Sequence, residues 1–182
     1  MDSKTDRGAD TGKFSLPPAA YHRIFWPIVI IGITADLWTK FAVFKWLKEL
    51  PNERYTFIEG WFDFITAYNP GAAFSILEDK RVFLVSISVI AMFVVLGIFL
   101  FGKIDKKIMV VILAMFLAGI VGNLYDRAMT GEVRDFIDVH YKEVYHWPAF
   151  NIADSMLCIA VGLMLILQIR ASILEKRSHR QK

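Results

Sequence analysis

Four long apolar runs dominate the sequence, at residues 24–44, 82–102, 108–128 and 152–169. Each is close to the length of about 20 residues that an α-helix needs to cross the hydrocarbon core of a bilayer. Hydrophobic residues make up 55% of the 182-residue chain, which is high for a water-soluble protein. The runs therefore predict an all-α membrane protein with four transmembrane helices.

The charges between the apolar runs indicate how these helices are oriented. Segments two and three are separated only by residues 103–107, three of which are lysines, so we expect a tight antiparallel pair. More basic residues follow segment four. The excess of lysine and arginine on the cytoplasmic side of membrane proteins places both termini in the cytoplasm, with residues 45–81 and 129–150 outside.

The chain ends differ in composition from the apolar centre. Residues 1–22 carry mixed charges, glycine, serine and a pair of prolines, which predicts a disordered cytoplasmic tail. No small-residue cleavage site follows the first apolar run, so we interpret that run as a retained anchor. Residues 23–170 then form one four-helix domain, and residues 171–182 form a basic cytoplasmic tail.

The outer loops show strand patterns. Residues 55–68 are rich in aromatic and β-branched residues and are interrupted at Gly60, which predicts one or two short strands. Asn-Pro-Gly at 69–71 is a good turn, and the small pair that follows it leaves room for close approach of a chain or ligand. Residues 133–139 alternate apolar and polar, like a short strand that returns Asp135 toward the helices. We therefore expect a small extracytoplasmic β-rich loop region.

Ionisable side chains occur inside the apolar runs, where they are costly and usually functional. Asp36 and Lys40 lie four residues apart on one helical face. They either form an ion pair that lowers the cost of their burial or hold a site near the outer leaflet, and we favour the second interpretation. Asn123, Asp126 and Arg127 end the third run, and they either build the frame of a site or contact helix carbonyls and lipid phosphate.

The fourth run begins at Asn151 and Asp154. An N-cap asparagine and a first-turn carboxylate would explain both residues, but not why Asp135 returns to the same outer end. Two carboxyl groups at a partly dehydrated site share one proton, so one can activate water while the other polarises an amide carbonyl. Asp135 and Asp154 are the acids we select; we expect Asp138 to be a loop residue.

Other chemistries have little support in the sequence. There is no Gly-x-Ser-x-Gly elbow, no Cys-His pairing and no His-Glu-x-x-His motif, and His140 and His146 are expected to be surface residues. Cys158 lies in an apolar run, where we expect packing. We predict no metal and no cofactor, and the modest net charge of +3 does not favour nucleic-acid binding.

With these residues in place, the sequence resembles the lipoprotein signal peptidase (signal peptidase II) family over about residues 25–170. The motifs that carry the resemblance occur in family order: Asp36-x-x-Thr-Lys40, Asn69-x-Gly-Ala-Ala-Phe74, Gly122-Asn-x-x-Asp-Arg127, Val133-x-Asp-Phe136 and Phe150-Asn-x-Ala-Asp154. The resemblance implies an intramembrane aspartic endopeptidase whose catalytic dyad is Asp135 and Asp154. It assigns substrate binding or site shaping to Asp36, Lys40, Asn69, Gly71, Asn123, Arg127, Asn151 and Ala153.

The resemblance also implies a substrate and a location. The substrate would be a diacylglyceryl-modified prolipoprotein, cut just before its lipidated cysteine by a monomeric enzyme in contact with membrane lipid. The enzyme would lie in the bacterial cytoplasmic (inner) membrane with its active site near the outer leaflet.

Two alternative functions are a small proton- or ion-coupled carrier, which would spread its acids across the bilayer, and a non-catalytic scaffold.

Overall fold

The computed structural model describes residues 16–71, 80–142 and 144–180. Within these ranges the chain forms four α-helices: α1 (Ala19–Leu47), α2 (Arg81–Phe101), α3 (Lys107–Met129) and α4 (Ile152–Arg180). All four are long and apolar enough to cross a membrane. The predicted helical membrane fold is therefore confirmed.

Two predicted boundaries differ from the structure. Helix α1 begins directly after Pro18, so the predicted tail of 1–22 extends too far; its residues 1–15 lie outside the described residues. Helix α4 continues through residues 171–180, so most of the predicted basic tail prolongs the last helix. Both extensions lie beyond the apolar runs, where hydropathy does not indicate at which residue a helix ends.

The segments between α1 and α2 and between α3 and α4 form one antiparallel sheet in the order β1 (Arg54–Ile58), β2 (Phe62–Asn69), β3 (Val133–Tyr141) and β4 (Tyr145–His146). This confirms the predicted break near Gly60, which adopts φ +75° between β1 and β2 and so favours glycine. The predicted close approach at Ala72 and Ala73 lies outside the described residues.

Helix α3 is the centre of the bundle and packs against α1, α2 and α4. One apolar core joins α1, α2 and α3, in which the rings of Phe25 and Phe99 stack with their centroids 3.7 Å apart. The outer faces of α2 and α4 expose large apolar side chains such as Phe93 and Ile166. These faces suit a hydrocarbon solvent, in which exposed apolar side chains carry no cost.

Short connections at one end of the bundle bring the sheet to the helices. Strand β3 begins four residues after α3 ends, and Phe150 pairs with it just before α4 begins. The amides of Phe136 and Ile137 both donate to the Phe150 carbonyl, at 3.1 and 2.9 Å. This pairing sets Asp135 of β3 beside the first turn of α4.

Candidate functional site

Asp135 is buried at the junction of sheet and bundle, with 2% of its surface exposed. The Asn69 side-chain amide donates to its Oδ2 at 3.1 Å and the Asn151 amide donates to its Oδ1 at 2.6 Å. Burial and the nearby Asp154 carboxylate raise the pKa of Asp135 to about 7, although the two amide donors oppose this shift. Asp135 can therefore hold or release a proton near neutral pH.

Asp154 lies in the first turn of α4 and is less buried. Its Oδ2 accepts from the Asn151 backbone N–H at 3.2 Å, while Asn151 Oδ1 accepts from the Asp154 N–H at 2.9 Å. This reciprocal cap satisfies helix donors as the sequence indicated. The other oxygen, Oδ1, accepts from the Asn123 side-chain amide at 2.7 Å. Asn151 thus contacts both carboxyl groups.

Asn123 connects this pair to α1. Its Oδ1 accepts from Lys40 Nζ and from the Asn151 amide, both at 3.1 Å. Because its amide also donates to Asp154, the buried Asn123 side chain links Lys40 to the carboxyl pair by hydrogen bonds. The side-chain assignment of Asn123 is fixed by these partners, since a lysine ammonium only donates.

Behind the pair lies a group of four charges, Asp36, Lys40, Asp126 and Arg134, which we call the charged frame. Lys40 Nζ lies 2.8 Å from Asp36 and 3.2 Å from Asp126, with all three side chains fully buried. Asp126 also accepts from the Arg134 guanidinium at 2.7 Å and from its backbone N–H at 3.1 Å. Two positive and two negative charges therefore compensate each other, three of them fully buried and the fourth, on Arg134, with 20% of its side chain exposed.

The frame is also tied to α4 through the backbone. Asp36 Oδ1 accepts from the Ala153 N–H at 2.9 Å, which fixes the first turn of α4 against α1. A side chain at Gly122 has no room here, because a Cβ would lie 2.5 Å from Asp36 Oδ2. The motif glycine therefore reflects close approach between α3 and the Asp36 carboxylate.

The Asn69 turn closes one side of the site. The Gly71 N–H donates to Asn69 Oδ1 at 3.0 Å, and the Gly71 carbonyl accepts from Arg127 at 2.9 Å. Arg127 Nε is buried and has no hydrogen-bond partner within residues 16–71, 80–142 and 144–180. The Arg127 and Ala128 carbonyls accept from Arg81, a contact that the sequence did not predict.

All ten residues selected from the sequence lie in this one connected set. They are Asp36, Lys40, Asn69, Gly71, Asn123, Arg127, Asp135, Asn151, Ala153 and Asp154. Sequence reasoning missed Arg134, because the sequence did not indicate an acidic partner for it. In the structure its ion pair with Asp126 completes the charged frame. The available signal was a basic residue within the alternating strand, eight residues after Asp126.

A second polar cluster lies on the sheet and corrects two expectations. Asp138 is not a loop residue but a buried residue of β3, and His140 is buried rather than on the surface, with 5% of its area exposed. Together with Asp63 they place potential metal-ligand atoms within 4.8 Å of one another. The expectation failed because strand register, not loop composition, determines which side chains point inward.

Comparisons with known proteins identify the family to which this fold belongs. A family model described as signal peptidase (SPase) II matches residues 28–170. The lipoprotein signal peptidases of Clostridium tetani and Geobacter sulfurreducens are each 37% identical to this chain; the matches cover 82% of it and 95% and 93% of those proteins.

A bacterial membrane enzyme solved by the in meso method at 2.3 Å resolution has a TM-score of 0.71 and 31% identity, over 80% of this chain and 87% of that chain. A second, solved at 1.9 Å, has a TM-score of 0.63 and 29% identity, over 78% of this chain and 92% of that chain. Given the four apolar helices and the family match, the chain belongs to the signal peptidase II family and is a multi-pass bacterial membrane peptidase.

Proposed function

We propose that this protein is an intramembrane aspartic endopeptidase that removes the signal peptide from diacylglyceryl-modified prolipoproteins by cutting before the lipidated cysteine. The observation that carries the proposal is the sharing of Asn151 by Asp135 and Asp154. Within the described residues neither carboxyl forms an ion pair, so one proton can move between them and a substrate. The similar proteins of Clostridium tetani and Geobacter sulfurreducens are lipoprotein signal peptidases, which supports a prolipoprotein substrate.

Different environments assign the two acids different roles. Asp135, with its pKa raised to about 7, carries the shared proton and donates it in a hydrogen bond to the scissile carbonyl oxygen. The ionised Asp154 accepts a proton from the attacking water as the new C–O bond forms. When the C–N bond breaks, the Asp135 proton passes to the leaving nitrogen. The proton on Asp154 then moves to Asp135, which restores the starting state. Atoms and protons then balance over one turnover.

The surroundings support a substrate that enters from lipid. The helices expose apolar faces while the carboxyl pair lies at the end where α3, β3 and α4 meet. An acyl chain and an apolar signal peptide could therefore stay in the bilayer while the polar junction reaches Asp135. We further propose that both termini are cytoplasmic, that the site lies near the outer leaflet of the cytoplasmic membrane and that the enzyme acts as a monomer.

The decisive assay uses detergent-purified protein and one prolipoprotein in two forms, with and without the diacylglyceryl group. We expect cleavage of the modified form alone, seen as a gel shift, with mass spectrometry placing the cut before the cysteine. Asp154→Asn protein should remain folded and inserted but should not cleave. Full activity of Asp154→Asn would refute the carboxyl pair, while equal cleavage of both substrate forms would refute the lipid requirement.

A further inference from the structure

We propose that Asp63, Asp138 and His140 form a binding site for a divalent cation of the zinc class on the outer sheet. Asp63 lies on β2, directly opposite Asp138 of β3 in the strand register, and His140 follows two residues later on the same face. This sheet cluster is separate from the carboxyl pair, and the inference does not depend on peptidase activity.

The ligand atoms are close and buried. The three ligand atoms lie within 4.8 Å of one another, and the residues are 1%, 6% and 5% exposed for Asp63, Asp138 and His140. Tetrahedral zinc with bonds of about 2.1 Å separates its ligand atoms by about 3.4 Å. Small side-chain rotations would therefore bring the three atoms to bonding distance.

Two buried atoms in the cluster point to a missing partner. Asp63 Oδ1 and His140 Nε2 form no hydrogen bond in the described part of the chain, although His140 Nε2 lies 3.2 Å from the acceptor atom Asp63 Oδ2. Buried polar atoms without partners are rare, because each costs about 1–3 kcal/mol. A cation between the carboxylates and the imidazole would satisfy both atoms at once.

The orientation of His140 fits a metal ligand. Its Nδ1 lies 3.0 Å from the Lys142 carbonyl, which only accepts, so Nδ1 carries the hydrogen. In the neutral ring this directs the Nε2 lone pair toward Asp63 Oδ2, 3.2 Å away. In that neutral form, two electron-rich atoms face each other. A carbonyl that fixes the tautomer of a histidine in this way is the usual support of a metal-bound imidazole.

His146 supports the neighbouring ligand. Its ring stacks on that of His140 with centroids 4.9 Å apart, and its Nδ1 lies 3.3 Å from Asp138 Oδ1. The other oxygen, Asp138 Oδ2, lies 3.8 Å from the Arg54 guanidinium and is the atom that would bind a cation. Mixed imidazole and carboxylate ligands favour zinc over magnesium or calcium, which prefer all-oxygen sites.

Arg54 neutralises part of this cluster and would compete with a cation. Its Nε donates to Asp63 Oδ2 at 2.6 Å, and its guanidinium lies 3.8 Å from Asp138. The Arg54 side chain is 41% exposed, so it has room to move toward solvent if a cation displaces it from Asp63. One guanidinium balances only one of two carboxylates, and a divalent cation would balance both.

The test is a Zn²⁺ titration of chelator-treated protein, purified without a histidine tag, in competition with a chromophoric chelator. We expect one saturable equivalent of Zn²⁺ and no comparable binding of Mg²⁺. His140→Ala should weaken binding more than 100-fold and His146→Ala by about 10- to 100-fold. His22→Ala, which removes a histidine of α1 far in sequence from the sheet, is the matched control and should bind like the wild type.

The Arg54→Gln variant should change the affinity for Zn²⁺ in the opposite direction, an effect that a failure to fold cannot mimic. Removing the competing charge should tighten Zn²⁺ binding roughly tenfold. X-ray absorption of the zinc-loaded wild type should show N/O ligands at about 2.0–2.1 Å with an imidazole contribution. The proposal is overturned by the absence of stoichiometric binding, by wild-type affinity in His140→Ala, by weaker binding in Arg54→Gln, or by a sulfur ligand, which would indicate capture by Cys158.

Discussion

The charged frame and the carboxyl pair are neighbours, but their acids have different partners. In the frame, Asp36 and Asp126 both face the Lys40 ammonium, and Arg134 completes the balance. In the pair, Asp135 and Asp154 receive hydrogen bonds from asparagine amides instead. Carboxylates that share a buried cation have their charge compensated by that cation, whereas a carboxyl held by neutral donors beside a like charge can exchange a proton. Burial alone therefore does not identify the chemically active acids.

The largest expected effect is a loss of cleavage activity when an acid of the carboxyl pair, and not of the charged frame, is replaced. Asp135→Asn removes the proposed proton donor at nearly the same side-chain size, so cleavage should fall by about 10²–10⁴-fold. Its amide keeps only one of the two acceptor oxygens that Asn69 and Asn151 use, so a small drop in melting temperature is expected. Rates are measured on diacylglyceryl-modified prolipoprotein and stability by thermal unfolding in the same detergent.

Asp126→Asn is the matched control in the frame. It leaves Arg134 with a weaker partner, so it should lower the melting temperature but retain measurable cleavage at temperatures where the protein is folded. If Asp126→Asn abolished cleavage in folded protein and Asp135→Asn did not, the roles assigned to the two groups would be reversed.

Lys40 tests the frame itself. Lys40→Met keeps the volume of the side chain but leaves Asp36 and Asp126 facing each other without their shared cation, which should cost about 3–5 kcal/mol of stability. Activity should fall less than in Asp135→Asn, because Asn123 loses one contact but still donates to Asp154. Chemical unfolding and initial rates measure the two effects.

The double variant Asp36→Asn/Lys40→Met provides the control for charge balance. Removing one negative charge together with the positive one should recover part of the lost stability, because one uncompensated carboxylate is removed. Stability equal to or lower than that of Lys40→Met alone would contradict the description of the frame as a compensated group.

A glycine pair distinguishes tight packing at the frame from ordinary helix packing. A Cβ at Gly122 would lie 2.5 Å from Asp36 Oδ2 and 3.1 Å from the Ala153 Cβ, whereas a Cβ at Gly97 meets nothing within 4 Å. Gly122→Ala should therefore cost about 1–3 kcal/mol, while Gly97→Ala should be neutral or stabilising. Equal melting temperatures for the two variants would argue against the close approach at the frame.

Sequence reasoning reached much of this molecule because hydropathy and short motifs report local structure. The four helices, the strand at 133–139 and the N-cap at Asn151 each follow from a pattern within one continuous segment of the chain. It did not reach contacts that depend on how distant segments meet. Arg81 contacts the end of α3 across 46 residues of sequence, and the burial of His140 depends on the register of β3. No local pattern encodes either.

The smallest predicted effect is a shift in pH dependence at Asp135. If this carboxyl must be protonated, activity should fall as the pH rises through its pKa of about 7. The Asn69 amide donates to the ionised carboxylate and so lowers that pKa; Asn69→Ala should therefore raise it, moving the alkaline limb of the rate profile up by about one unit. Thr66→Val, on the same strand with its hydroxyl directed to Glu53, should leave the limb in place. A limb that stays fixed or moves to lower pH in Asn69→Ala would mean that Asp135 does not supply the proton.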